Sequence, residues 1–252
     1  MTPLDYAVAD FDRDVMSSVR TSLNAGHAQL AFQPIVAATG KNPIAFYEGL
    51  IRLKDSGGRI IPAGLFMSEI EETELGREID CASLRLGIET LRANPTLRLS
   101  INMSARSMAD GKWRRTLERG LADNPNLAPR LILEINESSA MVLHEVLIRF
   151  MAEMQPQGVA FALDDFGAGM TSFRYLKDFF FDLVKIDQCF VRGIESSPEN
   201  QVMTEALINV AHQFEMFAVA EGVETAAEAA LLQSLGVDCL QGYLFGAPRM
   251  AL

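Results

Sequence analysis

Cysteine, cationic residues and long apolar runs are all scarce in this sequence, and each shortage removes a class of protein. Cys81, Cys189 and Cys239 are the only cysteines, lie far apart and form no CxxC pair. Neither a disulfide framework nor a thiolate zinc site is expected, and a reducing, cytoplasmic setting fits. Lys and Arg number 22 against 33 Asp and Glu, a formal net charge of -11. Such a chain has no broad attraction for a DNA or RNA polymer or for an anionic membrane. No stretch nears the roughly 18 apolar residues of a membrane span. Asp5, Asp10 and Asp12 stand where a secretory leader would need a basic and then an apolar stretch, so a soluble protein is expected. Fixed-length repeats and low-complexity linkers are missing too, which sets aside solenoids and propellers.

What is present is a core-forming composition, with 49% of the 252 residues hydrophobic and 22% charged. Short runs rich in Val, Ile, Leu and Phe alternate with longer amphipathic stretches, the pattern of strands followed by helices. Strands are expected at Leu30–Val36, Ile44–Leu53, Leu97–Met103, Leu131–Ile135, Val159–Leu163, Leu183–Ile186, Ala218–Ala220 and Cys239–Gln241. Helical periodicity covers Pro62–Arg92, Lys112–Asp123, Ala140–Met154, Asn200–Gln213 and Ala226–Leu235, with an N-terminal helix near residues 10–25. Eight strands with intervening helices in about 250 residues predict a single α/β domain over 1–252, a (β/α)8 TIM-like barrel with its core near 28–250. The first two strands are joined only by Ala37–Pro43, too short for a helical crossover, so the first strand is expected to be antiparallel to the second.

Chemistry is suggested by a recurrence rather than by one residue. Nearly every apolar strand carries a polar side chain at or near its C-terminal end: Glu48 and Arg52, Asn102, Glu134, Asp164 with Asp165, Lys185, Glu221 and Gln241. In a parallel barrel those ends converge on one rim. Any one of these residues alone reads as a solvated loop residue or a helix cap; the set does not. Five carboxylates crowded together without counter-charge would repel one another, a conflict that cations resolve. Oxygen ligands with one amide and no Cys or His select Mg2+ or Mn2+, and paired aspartates suit two ions. Lys185 would hold or activate a nucleophile and balance developing charge, and the reaction class that follows is phosphodiester hydrolysis.

Around these residues run the segments Phe32-Gln33-Pro34-Ile35, Tyr47-Glu48-Gly49-Leu50-Ile51-Arg52, Asn102-Met103-Ser104 and Leu133-Glu134-Ile135-Asn136-Glu137. Further along come Asp164-Asp165-Phe166-Gly167-Ala168-Gly169, Val184-Lys185-Ile186-Asp187, Ala220-Glu221-Gly222-Val223-Glu224 and Gln241-Gly242-Tyr243. With these segments the sequence, from about Leu30 to Pro248, resembles the EAL family of cyclic di-GMP phosphodiesterases. The resemblance implies hydrolysis of cyclic di-GMP to linear pGpG through a water activated by two Mg2+ or Mn2+ ions, in a barrel whose first strand is antiparallel. It implies a metal set of Glu48, Asn102, Glu134, Asp164, Asp165 and Glu221, with Glu221 also a base and Lys185 orienting the water. Gln33, Arg52 and Gln241 become substrate contacts, the Arg52 guanidinium suiting a phosphate. Glu137 becomes the anchor of the loop Phe166–Ser172. A homodimer and attachment to sensor or diguanylate cyclase modules are further implications, and a catalytically silent cyclic di-GMP receptor is the competing reading.

The chain departs from the family pattern in places. Gly49 stands where Ala or Val is usual; its side is expected to face away from the cavity by strand alternation, at a cost of about 0.5–1 kcal/mol in backbone flexibility. Ala168, Met170 and Thr171 replace Thr, Tyr and Ser, and Asn136 replaces Thr. Asp165-Phe166-Gly167 copies a kinase triplet without a His-Arg-Asp catalytic loop, and Gly167-Ala168-Gly169 lacks the placement of a dinucleotide fingerprint. His27, His144 and His212 form no ligand cluster. Trp113 and the run Phe179-Phe180-Phe181 read as packing.

Overall fold

The computed structural model of the chain describes residues 15–71, 73–169 and 176–252. Helix α1 (15–24) leads into strands β1 (Ala28–Ala37) and β2 (Ile44–Lys54) and the two-residue β3 (Ile60–Ile61). Next come α2 (Met67–Ile70), α3 (Glu74–Ala93), β4 (Leu99–Asn102), α4 (Gly111–Asp123) and β5 (Leu131–Asn136). The middle of the chain supplies α5 (Glu137–Val142), α6 (His144–Met154), β6 (Ala160–Phe166) and β7 (Leu183–Ile186). It ends with α7 (Gln188–Val191), α8 (Pro198–Gln213), β8 (Phe217–Ala220), α9 (Ala226–Ser234) and β9 (Cys239–Gln241).

The sheet runs β1-β9-β8-β7-β6-β5-β4-β2-β3 and closes through a β1–β2 pairing, so eight strands form a barrel with β3 appended to β2. β1 is antiparallel to both neighbours, β2 and β9, and every other barrel pairing is parallel. All eight expected strands are present, and the short connection after β1 does reverse the chain. The expected N-terminal helix is seen at 15–24, with the earlier part of that range outside the described residues.

Two expected helices are each divided, and local chemistry explains both divisions. The stretch Pro62–Arg92 breaks before α3 because Thr73 caps a new start: its hydroxyl donates to the Ile70 carbonyl at 2.8 Å and accepts from the Gly76 N–H at 3.5 Å. A side chain on Gly76 would sit 2.4 Å from that same Ile70 oxygen, so only glycine lets the two segments meet. The stretch expected from Ala140 begins earlier, at Glu137, because Asn136 caps α5 by accepting from the Ser138 N–H at 2.9 Å. It then turns at Leu143 into α6.

The main core lies between the barrel wall and the helices. Leu84, Ile88 and Leu91 of α3, Trp113 and Leu117 of α4, and Leu147, Phe150 and Met151 of α6 pack there. Phe179 and Phe181 are buried with them while Phe180 is 66% exposed, so the packing reading holds for two of the three phenylalanines and for Trp113. A second cluster, Ile35, Phe46, Ile132, Ala162, Leu183 and Val219, fills the barrel interior toward the N-terminal ends of the parallel strands. Two residues farther along those strands stand Glu48, Glu134, Asp164, Lys185 and Glu221. Side chains i and i+2 share a face of a strand. The apolar floor and the polar layer above it are therefore successive rungs of one interior, and antiparallel β1 reaches the same layer in reverse with Gln33.

Candidate metal centre at the barrel rim

Lys185 is the hub of the polar layer. Its side chain is 1% exposed, and its Nζ lies 3.2 Å from Glu48 Oε2, 3.1 Å from Glu134 Oε2, 3.3 Å from Asp164 Oδ1 and 2.7 Å from Glu221 Oε1. Four of the five carboxylates expected to crowd together thus have a cation at hand in the metal-free protein. Glu48 is held from both sides as well. Asn102 Nδ2 donates to its Oε1 at 2.7 Å and Gln241 Nε2 to its Oε2 at 2.6 Å. Gln241 Nε2 also donates to Gln33 Oε1 at 3.2 Å, and Gln33 Nε2 reaches the Gly246 carbonyl at 3.2 Å.

The protonation of these groups follows from that geometry. Burial alone would raise Glu48, but the Lys185 charge and the amides of Gln241 and Asn102 hold its carboxyl below the ordinary range. Glu134 goes the other way, pushed well up by burial and then by the neighbouring Glu48 charge. Glu221 is raised to about 8 by burial, against the pull of Lys185. Asp165 is raised to about 6 by burial and by the Asp164 and Asp187 charges. Lys185 stays charged: burial works against its ammonium, but four carboxylates hold its pKa well above the ordinary lysine value.

Asp164 and Asp165 are consecutive, and a regular strand would send them to opposite faces. Asp165 instead has φ 56, and the β6–β7 register shifts between Leu163 and Phe166. This irregularity lets Asp164, Asp165 and Glu221 each place one carboxylate oxygen within 4.8 Å of the others, a group able to hold a cation. The donor set is all oxygen, and buried Asp164 Oδ1 has the Lys185 ammonium at 3.3 Å as an ion-pair partner but no hydrogen bond among the described residues. Hard divalent ions suit such a set. Asp187 also faces Asp165, through its charge and a side-chain hydrogen bond. The sequence reading gave it no role, although it is two residues after Lys185 and alternation points it to the same side.

Two cavities flank Glu48. One of about 210 Å³ is lined by Gln33, Glu48, Gln188, Arg192, Glu221, Gln241 and Tyr243. The other, about 300 Å³, is lined by Glu48, Arg52, Asp80, Asn102 and Asp164. Arg52 therefore sits on the rim, apart from Gln33 and Gln241, and one of its N–H groups donates to the Ile51 carbonyl at 2.9 Å. Glu137 is outside the polar layer. It is buried and accepts the Gly167 N–H at 3.1 Å, just after β6; residues 170–172 of the loop expected to depend on it lie outside the described residues. Asp80, which the sequence reading passed over, is buried on α3 and accepts from the Ser104 N–H at 2.8 Å and the Ser107 hydroxyl at 2.6 Å, fixing the chain just after Asn102. A carboxylate on the buried face of α3 was the available signal.

Known proteins are similar to this chain over nearly its whole length. Residues 16–248 match the EAL domain. Cyclic di-GMP phosphodiesterase PdeF of Escherichia coli (strain K12) is 30% identical over 239 residues, covering 93% of this chain and 32% of that protein. Signaling protein YkoW of Bacillus subtilis (strain 168) is 32% identical over 238 residues, covering 91% and 29%. Among solved structures, the FimX EAL domain from Pseudomonas aeruginosa bound to c-di-GMP aligns with a TM-score of 0.84 at 25% identity, covering 94% of this chain and 97% of that one. The PaMucR phosphodiesterase in its c-di-GMP complex aligns at 0.81 and 27%, with the same two coverages. The chain spans about a third of the length of these curated relatives. A profile match from 16 to 248, together with relatives at 30% identity or more over nine-tenths of the sequence, means that the chain belongs to the EAL-domain family.

Proposed function

We propose that this chain hydrolyses cyclic di-GMP to linear pGpG, using two divalent cations, Mg2+ or Mn2+, held at the barrel rim. The observation that carries the reading is the convergence of Glu48, Glu134, Asp164 and Glu221 on Lys185, with Asn102 on Glu48, in one interior layer. In this reading Glu48, Asn102, Glu134, Asp164, Asp165 and Glu221 hold the ions, which supply Lewis acidity to a phosphoryl oxygen and to water. Asp187, beside Asp165, joins that set. Glu221 is also the base in this reading, its ionised carboxylate taking a proton from the attacking water. Lys185 orients the attacking water and steadies the charge that develops on phosphate. The two cavities that Glu48 borders offer room for parts of a cyclic dinucleotide, with Gln33 and Gln241 beside one and Arg52 beside the other. The names of the relatives support the same substrate.

The purified protein with cyclic di-GMP and Mg2+ or Mn2+ is expected to release pGpG, resolved by chromatography. Glu48→Gln, which keeps the shape but removes a charged ligand, is expected to lower kcat by at least about 100-fold. Tight cyclic di-GMP binding with no product in either metal would replace this reading with the silent receptor. The remaining expectations stand as part of the proposal: one EAL unit over 1–252, a cytoplasmic homodimer, and sensor or diguanylate cyclase modules as regulatory partners. No helix among the described residues is long and apolar enough to cross a membrane.

A further inference from the structure

Asp165 reaches the rim only because its backbone is inverted, with φ 56 at a residue that has a side chain. That conformation is disfavoured for a residue with a Cβ and persists only where neighbours retain it. The retaining neighbour is Asn136, at the end of β5, paired in register with Asp164. Its Nδ2 donates to Asp165 Oδ2. Its Oδ1 is occupied by two donors, the Ser138 N–H at 2.9 Å and the Ser138 hydroxyl at 2.6 Å. With both donors on the oxygen, the amide has one orientation, and the nitrogen must face Asp165. The next residue, Glu137, takes the Gly167 N–H. Two consecutive side chains of one strand end therefore grip the turn at Asp165 and at Gly167.

We propose that Asn136 is a positioning residue that orients the Asp165 carboxylate for a divalent cation by occupying one of its oxygens and leaving the other to the ion. The inference rests on the reading of Asp165 as a cation ligand. An amide donor on one carboxylate oxygen of a ligand restricts its rotation, and partners of this kind govern metal affinity without touching the metal. Asn136 is also a helix cap, so the test must separate the two roles. Serine retains the cap acceptor but is too short to bring a donor to Asp165; alanine removes both.

The experiment is calorimetric titration of the full chain with Mn2+, alongside thermal melting, for wild type, Asn136→Ser, Asn136→Ala, Asp165→Ala and the double variant Asn136→Ser/Asp165→Ala. Asn136→Ser is expected to melt within about 2 °C of wild type yet bind Mn2+ about 10-fold or more weakly. At saturating Mn2+ its KM for cyclic di-GMP is expected to be unchanged. The double variant is expected to bind Mn2+ no more weakly than Asp165→Ala, because the amide acts through that carboxylate. Wild-type Mn2+ affinity in Asn136→Ser, with affinity lost in Asp165→Ala, would reduce Asn136 to a cap and leave Asp165 as a ligand. A further loss in the double variant would show that Asn136 acts elsewhere. Unchanged affinity in Asp165→Ala would remove Asp165 from the metal centre, and the proposal with it.

Discussion

Gly49 illustrates how a residue beside a functional one is chosen by what packs behind it. A Cβ built on Gly49 points away from the polar layer, as strand alternation predicts, and would lie 2.7 Å from Ile101 Cδ1 and 3.3 Å from Leu30 Cδ1. The missing methyl is thus replaced by the Ile101 side chain, and the simple account of a flexible glycine next to Glu48 omits this compensation. Gly49→Ala, although it restores the residue usual in the family, is expected to destabilise by about 1–3 kcal/mol through overpacking. Adding Ile101→Val is expected to return a good part of that, read as the midpoint of denaturant unfolding. Lys185 poses the opposite problem, a buried cation whose removal strands several charges. Lys185→Met is expected to destabilise the metal-free protein by about 3 kcal/mol or more and to lower kcat at least about 100-fold. Saturating Mn2+ is expected to recover melting temperature but not turnover. Recovery of both would show that the lysine serves only as a metal-free counter-ion.

At the scale of elements, α3 supports the site through one buried side chain. Asp80 anchors the segment after β4 by accepting from Ser104 and Ser107. Burial, partly offset by those two hydrogen bonds, raises its pKa from the ordinary 3.8 to about 6. Because the folded state holds this proton more tightly than the unfolded state, the stability it contributes is fully present below about pH 4 and is lost as pH rises through about 6. The loss is of order 2–3 kcal/mol. Asp80→Asn keeps an oxygen for both donors and has no proton to lose. Relative to wild type it is expected to gain stability between pH 4 and 7, measured by denaturant unfolding in saturating Mn2+ so that the rim carboxylates do not contribute. A constant difference across that range would show that Asp80 does not titrate there. Asp80→Leu, which leaves both donors unpaired, is expected to be destabilising at every pH.

For the whole molecule, a net charge of -11 makes cations the means of bringing the protein and the proposed doubly anionic substrate together. Metal-free stability carries the same signature. Glu221 at about 8 and Asp165 at about 6 both exceed ordinary carboxylate values. Their contribution to stability is therefore present in acid and disappears as pH rises through those values. In EDTA the melting temperature is expected to fall between pH 5 and 8.5. A divalent ion competes with the protons, so the gain on adding Mn2+ is expected to be larger at pH 8 than at pH 6. At 100 times its dissociation constant the ion stabilises by about 2.7 kcal/mol. Equal gains at both values would mean that no raised carboxylate belongs to the metal centre.

Much of this protein could be read before folding was considered, because barrel strands are short, apolar and punctuated. Alternating strand and helix segments pointed to the fold class, the short Ala37–Pro43 link to the reversed first strand, and polar residues near the strand ends to the rim set. What local pattern could not supply was any relation that depends on a second segment arriving. Strand alternation alone would have turned Asp165 outward; the inversion at β6 and the Asn136 amide from β5 bring it back. Asp187 and Asp80 acquire meaning only beside Asp165 and Ser104. That the Lys185 ammonium lies within 3.3 Å of four acids at once is likewise a fact of barrel closure, since electrostatic interaction depends on distance in space and the five residues come from five different parts of the barrel wall.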